Sequence, residues 1–140
     1  MRRVRSERGA ALIEAAITIP MLLLISVGIF EFGRAYQTWQ VLTNAAREGA
    51  RIAVITGITD EQVQERVCDY MISGGLPDAT VDDVVVERSV PLGTDSASRI
   101  TINYPFEFMV LNPVVRLVTP DSNTGAPITM HSVALMRNES

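Results

Sequence analysis

The stretch ERGAALIEAAITIPMLLLISVGIF, residues 7–30, decides how this 140-residue chain is built. From Ala10 to Phe30 it holds twenty-one residues whose one charge is Glu14. A helix of that length reaches about 31 Å, enough for a hydrocarbon layer of about 30 Å. Without residues 10–14 the uncharged remainder reaches only about 24 Å, so Glu14 must lie at or just inside the membrane interface. The sequence therefore predicts a transmembrane helix over residues 10–33.

The segment after the apolar run argues against a cleaved secretory signal. A signal-peptidase site needs small residues at alternating positions, but Glu31-Phe32-Gly33-Arg34 follows the run. An uncleaved single-pass anchor accounts for the apolar residues. It gives no role to Gly9, at the end of the basic leader, or to Glu14.

Charge is distributed unevenly along the chain. Residues 1–9 hold four Arg against one Glu, a net charge of +3, whereas residues 10–140 hold eight Arg against fifteen acids, a net charge of −7. Because basic flanks remain on the cytoplasmic side of a membrane, residues 34–140 should form an extracytoplasmic domain. The acidic balance of that domain disfavours nucleic-acid binding.

The helical pattern continues beyond the apolar run. Mostly small residues recur at spacings of three and four, which predicts one helix from about residue 10 to residue 55. Small side chains permit close approach, so we expect a β-sheet to pack across this face. Pro20 should bend the helix and Gly57 should cap its end. The predicted packing stripe consists of Ala35, Trp39, Leu42, Ala46, Gly49 and Ala53.

A second helix is predicted next. Thr59 and Gln62 form a capping-box pattern, and Gly74-Gly75 should close the helix after about Ser73.

Three β-rich runs follow, at residues 84–88, 99–104 and 128–137. Turn-forming stretches separate them, the first at Pro91-Leu92-Gly93, so a three-stranded antiparallel meander is expected. Between the last two runs, Asn112-Pro113 predicts an N-cap and a short helical turn. The fold class predicted for the chain is α+β.

Catalytic chemistry is nearly absent from the sequence. The chain has no lysine, which removes a Walker-type, Schiff-base or general-base lysine. With one histidine, His131, and one cysteine, Cys68, no zinc site can draw three such ligands. We therefore expect no enzyme, no metal and no cofactor. Cys68 is either a buried small residue or an exposed thiol that pairs between chains.

Two further patterns leave alternatives open. Asp82-Asp83 is either a weak cation site or a solvated turn at the entrance of a strand. Phe106, Phe108 and Met109 form either a partner-binding patch or part of the core and the sheet edge.

Several stretches resemble one family. A basic leader, Gly9, and Glu14 five residues later at the start of a long apolar helix resemble the prepilin-peptidase site of type IV pilins and pseudopilins. EFGRAY at residues 31–36, NAAREGAR at 44–51 and INYPF at 102–106 are similar to TadE-like proteins, the minor pseudopilins of the tight adherence (Tad/Flp) pilus system. Ala15 departs from the aromatic residue that follows the glutamate in many members.

The resemblance implies a pilin-like fold and a non-enzymatic role in pilus assembly at the bacterial inner membrane. It implies cleavage of the leader, residues 1–9, by a prepilin peptidase between Gly9 and Ala10. It also implies pairing of the Glu14 carboxylate with the new amine of a neighbouring subunit. The expected partners are the prepilin peptidase, the Tad assembly platform, other pseudopilins and the major Flp pilin. The alternative function is an uncleaved single-pass anchor that carries an extracytoplasmic binding or adhesion domain.

Overall fold

The computed structural model describes residues 3–118 and 127–138. A long helix, a second helix and a three-stranded antiparallel sheet confirm the predicted α+β class. The elements are α1 (Arg3–Ala53), α2 (Asp60–Ser73), a 3-10 turn (Val81–Asp83), β1 (Val84–Leu92), β2 (Asp95–Phe106), α3 (Leu111–Val118) and β3 (Ile128–Arg137).

Helix α1 ends at Ala53 and contains Pro20. The Ile55 N–H donates to the Ile52 carbonyl at 3.0 Å, a tight final turn that uses one of the carbonyls left over at a helix end. Gly57 has a φ of +90°, but it lies in the connection to α2. The prediction that Gly57 caps α1 is therefore wrong, and its left-handed backbone instead turns the chain toward α2.

Helix α2 is bounded as its sequence predicts. The Gln62 N–H donates to Thr59 Oγ1 at 3.4 Å, and the Thr59 N–H donates to Gln62 Oε1 at 3.0 Å, which confirms the capping box. At the other end the Gly74 N–H donates to the Tyr70 carbonyl at 2.9 Å, and Gly75 has a φ of +92°.

The three strands form an antiparallel sheet in the order β1-β2-β3. Pro91 and Leu92 pair with Ser96 and Asp95, so β1 continues through two residues that were predicted to form a turn. Proline is tolerated there because β1 is an edge strand. The actual turn begins at Gly93, whose φ of +64° suits the first position of a tight hairpin turn.

Helix α3 begins one residue before its predicted cap. Asn112 therefore lies inside the first turn and is 7% exposed, so the predicted N-cap role is wrong. The Val114 N–H donates to the Val110 carbonyl at 3.2 Å, which makes Val110 the residue that opens the helix.

The chain forms two compact units. Unit 1 contains α1 up to Arg34 together with α3, and unit 2 contains the rest of α1, helix α2 and the sheet. The core of unit 2 lies where α1, α2 and the sheet meet. Its fully buried side chains include Leu42, Ala45 and Ala46 of α1, Val63, Val67 and Met71 of α2, and Ile100 and Ile102 of β2.

Candidate functional site

The predicted processing and assembly residues lie on the first turns of α1. Gly9, Ala10 and Glu14 belong to one continuous helix, and Ala10 and Glu14 are four residues apart, on the same face. The Ala10 and Glu14 side chains are exposed. A side chain built at Gly9 would meet no atom within 4 Å. The Ala10 and Glu14 side chains, and the space beside the Gly9 Cα, are therefore uncovered in this structure.

The apolar run that follows Glu14 is uncovered. Leu12, Ile17 and Ile29 are 71%, 68% and 70% exposed, and the most apolar window of the helix has no buried residue. The helix is long and apolar enough to cross a membrane. We interpret it as a single-pass membrane anchor, because a helix whose apolar side chains are exposed on every side is typical of a segment surrounded by lipid.

A buried carboxylate that the sequence analysis did not single out lies just beyond this run, in unit 1. The Glu31 side chain is 0% exposed. Its Oε1 accepts a hydrogen bond from the Val110 N–H, and the Met109 and Leu111 amides lie close to the carboxylate. Arg34 Nη1 donates to Oε2 at 3.1 Å. Glu31 thus supplies, from α1, an acceptor for the amide that directly precedes α3, where no helical carbonyl is available.

An aromatic contact lies beside this carboxylate. The Phe32 and Phe108 rings meet edge to face with centroids 6.4 Å apart, a favourable geometry. Met109, next to Phe108, is 61% exposed, whereas Phe106 is only 3% exposed in unit 2. The predicted cluster of Phe106, Phe108 and Met109 is therefore divided: Phe106 belongs to a core, and Met109 belongs to a surface.

The predicted packing stripe lies partly in the core of unit 2. Leu42, Ala46, Gly49 and Ala53 are buried, Ala35 is half-buried, and Trp39 is 47% exposed. The buried face is also wider than one stripe, since it includes Thr38, Ala45 and Ala50. The extra width follows from the two neighbours of α1: a Cβ built at Gly49 would lie 2.5 Å from Val67 of α2 and 3.4 Å from Ile100 of β2.

Arg88 joins the end of α1 to the start of α2. Its guanidinium donates to the Ala53 carbonyl at 2.8 Å, to the Ile58 carbonyl at 2.9 Å, and to the Asp60 carboxylate. A cation at a helix C-terminus is favourable because it meets unpaired carbonyls and the negative end of the helix dipole. No local pattern marks Arg88, because its partners lie about thirty residues earlier in the chain.

The remaining candidates have ordinary structural roles. Cys68 is 8% exposed and its Sγ lies 3.4 Å from the Ala79 carbonyl, so the buried alternative applies. Burial, with Asp69 and Asp83 nearby, raises the pKa of the Cys68 thiol. Asp83 accepts from the Thr80 N–H at 2.8 Å, as expected of a turn at a strand entrance. His131 contacts Asn103 at 2.7 Å on the exposed sheet.

Metal-ligating side chains do not gather in the described part of the chain. No group of three or more His, Cys, Asp or Glu that could hold an ion occurs within residues 3–118 and 127–138.

Comparison with known proteins identifies the N-terminal part of the chain. Residues 9–51 match the family model described as TadE-like protein. The matched range contains Glu14, Glu31 and most of the packing stripe. No curated protein and no solved structure gives a significant match.

Proposed function

We propose that this chain, a TadE-like protein of the Tad pilus system by its match over residues 9–51, is a minor pseudopilin that promotes assembly of Tad/Flp pili. The observation that carries the proposal is the position of this match. It includes the exposed apolar part of α1 and Glu14 at the start of that part. The proposed role is structural. The helix holds the subunit in the membrane until assembly, and the exposed face of unit 2 contacts other pilus components.

The first proposed step is removal of the leader by a prepilin peptidase between Gly9 and Ala10. A Cβ built at Gly9 would meet no atom within 4 Å, and glycine, once the helix is locally opened, lets an extended backbone come close to catalytic groups. Cleavage creates an amine at Ala10. This cation and the Glu14 carboxylate then lie at the same end of the apolar helix.

The second proposed step is charge pairing between subunits. A Glu14 carboxylate and an Ala10 amine on neighbouring chains, 4 Å apart in surroundings of effective dielectric near 20, attract by about 4 kcal/mol before desolvation is subtracted. A carboxylate near lipid is costly without a cation. The axial register of neighbouring helices is therefore the one that brings the Glu14 carboxylate next to the Ala10 amine.

The proposed orientation follows from charge. The +3 leader stays in the cytoplasm, and the residues after the span, which carry most of the −7 remainder, lie outside the inner membrane. The proposed partners are the prepilin peptidase, the Tad assembly platform, other pseudopilins and the major Flp pilin.

Intact mass of the membrane-extracted protein tests the processing step. Co-expression with the matching peptidase should give a chain that begins at Ala10, whereas Gly9→Leu should keep its leader because a branched side chain occupies space needed by the enzyme. Gly28→Leu is the matched control, since Gly28 is another unobstructed glycine of α1. A leader that stays on the wild-type chain in the presence of active peptidase contradicts the proposal.

Glu14→Gln tests the pairing step separately from processing. The amide keeps the size and hydrogen-bonding ability of the side chain but removes its charge. We expect normal leader removal with reduced crosslinking to partner pseudopilins and fewer surface pili. Wild-type levels of both pili and crosslinks would contradict charge pairing and leave the processing proposal intact.

The alternative, an uncleaved anchored binding domain, is favoured by one observation. Val85, Thr101 and Val133 stand side by side in the sheet, and Val85 and Val133 are 42% and 59% exposed. Such a row, with a partly exposed threonine between two exposed valines, suits a protein ligand. Full-length mass in the membrane fraction together with normal surface piliation in a deletion strain would favour this alternative.

A further inference from the structure

An exposed apolar surface in unit 1 surrounds the buried Glu31. We name it the collar; it consists of Phe32, Phe108, Met109, Val110 and Val114. Phe32, Met109 and Val114 are 68%, 61% and 49% exposed. Side chains of this kind are normally covered by a core, a partner or lipid.

The position of the collar along α1 indicates which of these covers it. The run from Ala10 to Phe30 is about 31 Å long and fills a hydrocarbon layer of about 30 Å. Phe32 lies two residues, about 3 Å, beyond that run, at the boundary between acyl chains and headgroups. Phenylalanine is among the apolar residues that interfacial helices bury at this level of a membrane.

Two contacts hold α3 at the same level. The Phe108 ring packs against Phe32, and the Val110 amide, which directly precedes α3, donates to Glu31, the residue before Phe32. The segment 108–116 therefore begins at the membrane boundary wherever α1 crosses the membrane.

The composition of this segment suits a lipid surface. FMVLNPVVR, residues 108–116, contains no acid, and its one charge is the exposed Arg116. Two acids are near the segment: Glu31 is buried beside the Val110 amide and Arg34, whereas Glu107, directly before Phe108, is exposed. Val110 and Val114, one helical turn apart, share a face of α3 and are both exposed. Apolar side chains beside an arginine are typical of helices that lie in the headgroup region.

We propose that the collar is a second membrane contact: residues 108–116 lie in the headgroup region of the outer leaflet, next to the point where α1 leaves it. This inference rests on α1 crossing the membrane in the proposed orientation and is independent of leader cleavage and of any role in pili. Its occupant is lipid, and its continuity with the apolar span is the argument for it.

Site-directed spin labelling tests the proposal on the full-length chain. Cys68→Ser provides a background without thiols, because Cys68 is the chain's one cysteine and serine can still donate to the Ala79 carbonyl. Single cysteines at positions 109 and 114 carry the label, with position 85 on the exposed sheet as the matched apolar control. The protein is reconstituted in vesicles of phosphatidylethanolamine and phosphatidylglycerol. Circular dichroism verifies that each variant is folded.

Accessibility to oxygen and to a water-soluble nickel chelate separates the outcomes. We expect the ratio of oxygen to nickel accessibility to be several-fold higher at 109 and 114 than at 85. Equal ratios at all three positions would overturn the proposal. A high ratio at 109 and 114 that disappears when the protein is diluted tenfold in lipid would also overturn the proposal, because a second copy of the chain, and not lipid, would then cover the collar. Glu31→Ala should lower the ratio at 114 toward that at 85, and an unchanged ratio would overturn the anchoring role of Glu31.

Discussion

The two units of this chain bury opposite kinds of side chain. In unit 2 the fully buried residues are mainly apolar, such as Leu42, Ile100 and Ile102. Among the described side chains of unit 1, the buried ones are Glu31 and Asn112, while the leucines and isoleucines of the apolar run are exposed. This difference is expected between a domain that folds in water, where the hydrophobic effect buries apolar side chains, and a segment that is surrounded by lipid. Lipid gives no advantage to burying apolar groups, so contacts there depend on hydrogen bonds and close van der Waals packing.

The same substitution in the two units should give the largest contrast. Leu42→Ala removes a 0% exposed side chain and should lower the free energy of unfolding by about 2–5 kcal/mol. Leu23→Ala, at a 61% exposed position of the apolar run, should change it by less than about 0.5 kcal/mol. Denaturant titration of the detergent-solubilised chain, followed by Trp39 fluorescence, measures both. Equal losses would contradict the division into a water-packed unit and a lipid-exposed one.

Removing the buried acid should disrupt unit 1. Glu31→Ala leaves the Val110 amide, directly before α3, without its acceptor and should weaken the docking of α3 by about 3 kcal/mol. Amide hydrogen exchange at residues 109–111 measures this loss. Glu48→Ala is the control, because Glu48 pairs with Arg51 at the surface of the same helix. If exchange at these amides is no faster than in the control, Glu31 does not hold α3.

Adding one methyl group tests how closely α1 approaches its neighbours. Gly49→Ala would place a Cβ 2.5 Å from Val67 Cγ2 and should lower the free energy of unfolding by about 1–2 kcal/mol through overpacking. Gly28→Ala meets no atom within 4 Å and should be neutral or slightly stabilising, since alanine favours helix. The comparison is made by thermal unfolding in detergent, and a stabilised Gly49→Ala chain would contradict the tight packing.

The smallest expected effect concerns pH. Arg51 donates two hydrogen bonds to Glu48, at 2.7 and 2.9 Å, and holds the pKa of that carboxyl below its ordinary value. A depressed pKa means that the stabilisation is present above the ordinary pKa and is lost as the pH falls through the folded value. Glu48→Gln should therefore slightly reduce the loss of Tm on acidification. Identical acid-side curves for both chains would show that solvent screens the pair completely.

The elements of the fold were predictable where their signals are local. The capping box at Thr59 and Gln62, the glycines after Ser73 and the three β-rich runs each identify an element from a few neighbouring residues. Residues whose partners are distant in sequence were not predictable. Glu31 meets an amide seventy-nine positions later, and no pattern near Glu31 specifies that partner.

The prediction of how wide the buried face of α1 is was wrong for a related reason. A spacing of three and four defines a line along α1, but burial depends on how many elements pack against that line. Because both α2 and the sheet pack there, Ala45 and Ala50 are buried, and Trp39 lies outside the face. For the candidate site, Gly9, Ala10 and Glu14 stay predictions made from the sequence, whereas the contacts of Glu31 and Arg88 became visible only in the structure.

The Cys68 thiol can report the local opening of unit 2, because it is buried under the connection that follows α2. A chain with one cysteine forms no internal disulfide, so its folding outside the cytoplasm would need no oxidising enzyme. The thiol is 8% exposed and lies 3.4 Å from the Ala79 carbonyl, so a modifying reagent reaches it more readily while α2 separates from the connection that follows it. The rate of thiol labelling in living cells therefore measures how often this part of unit 2 opens.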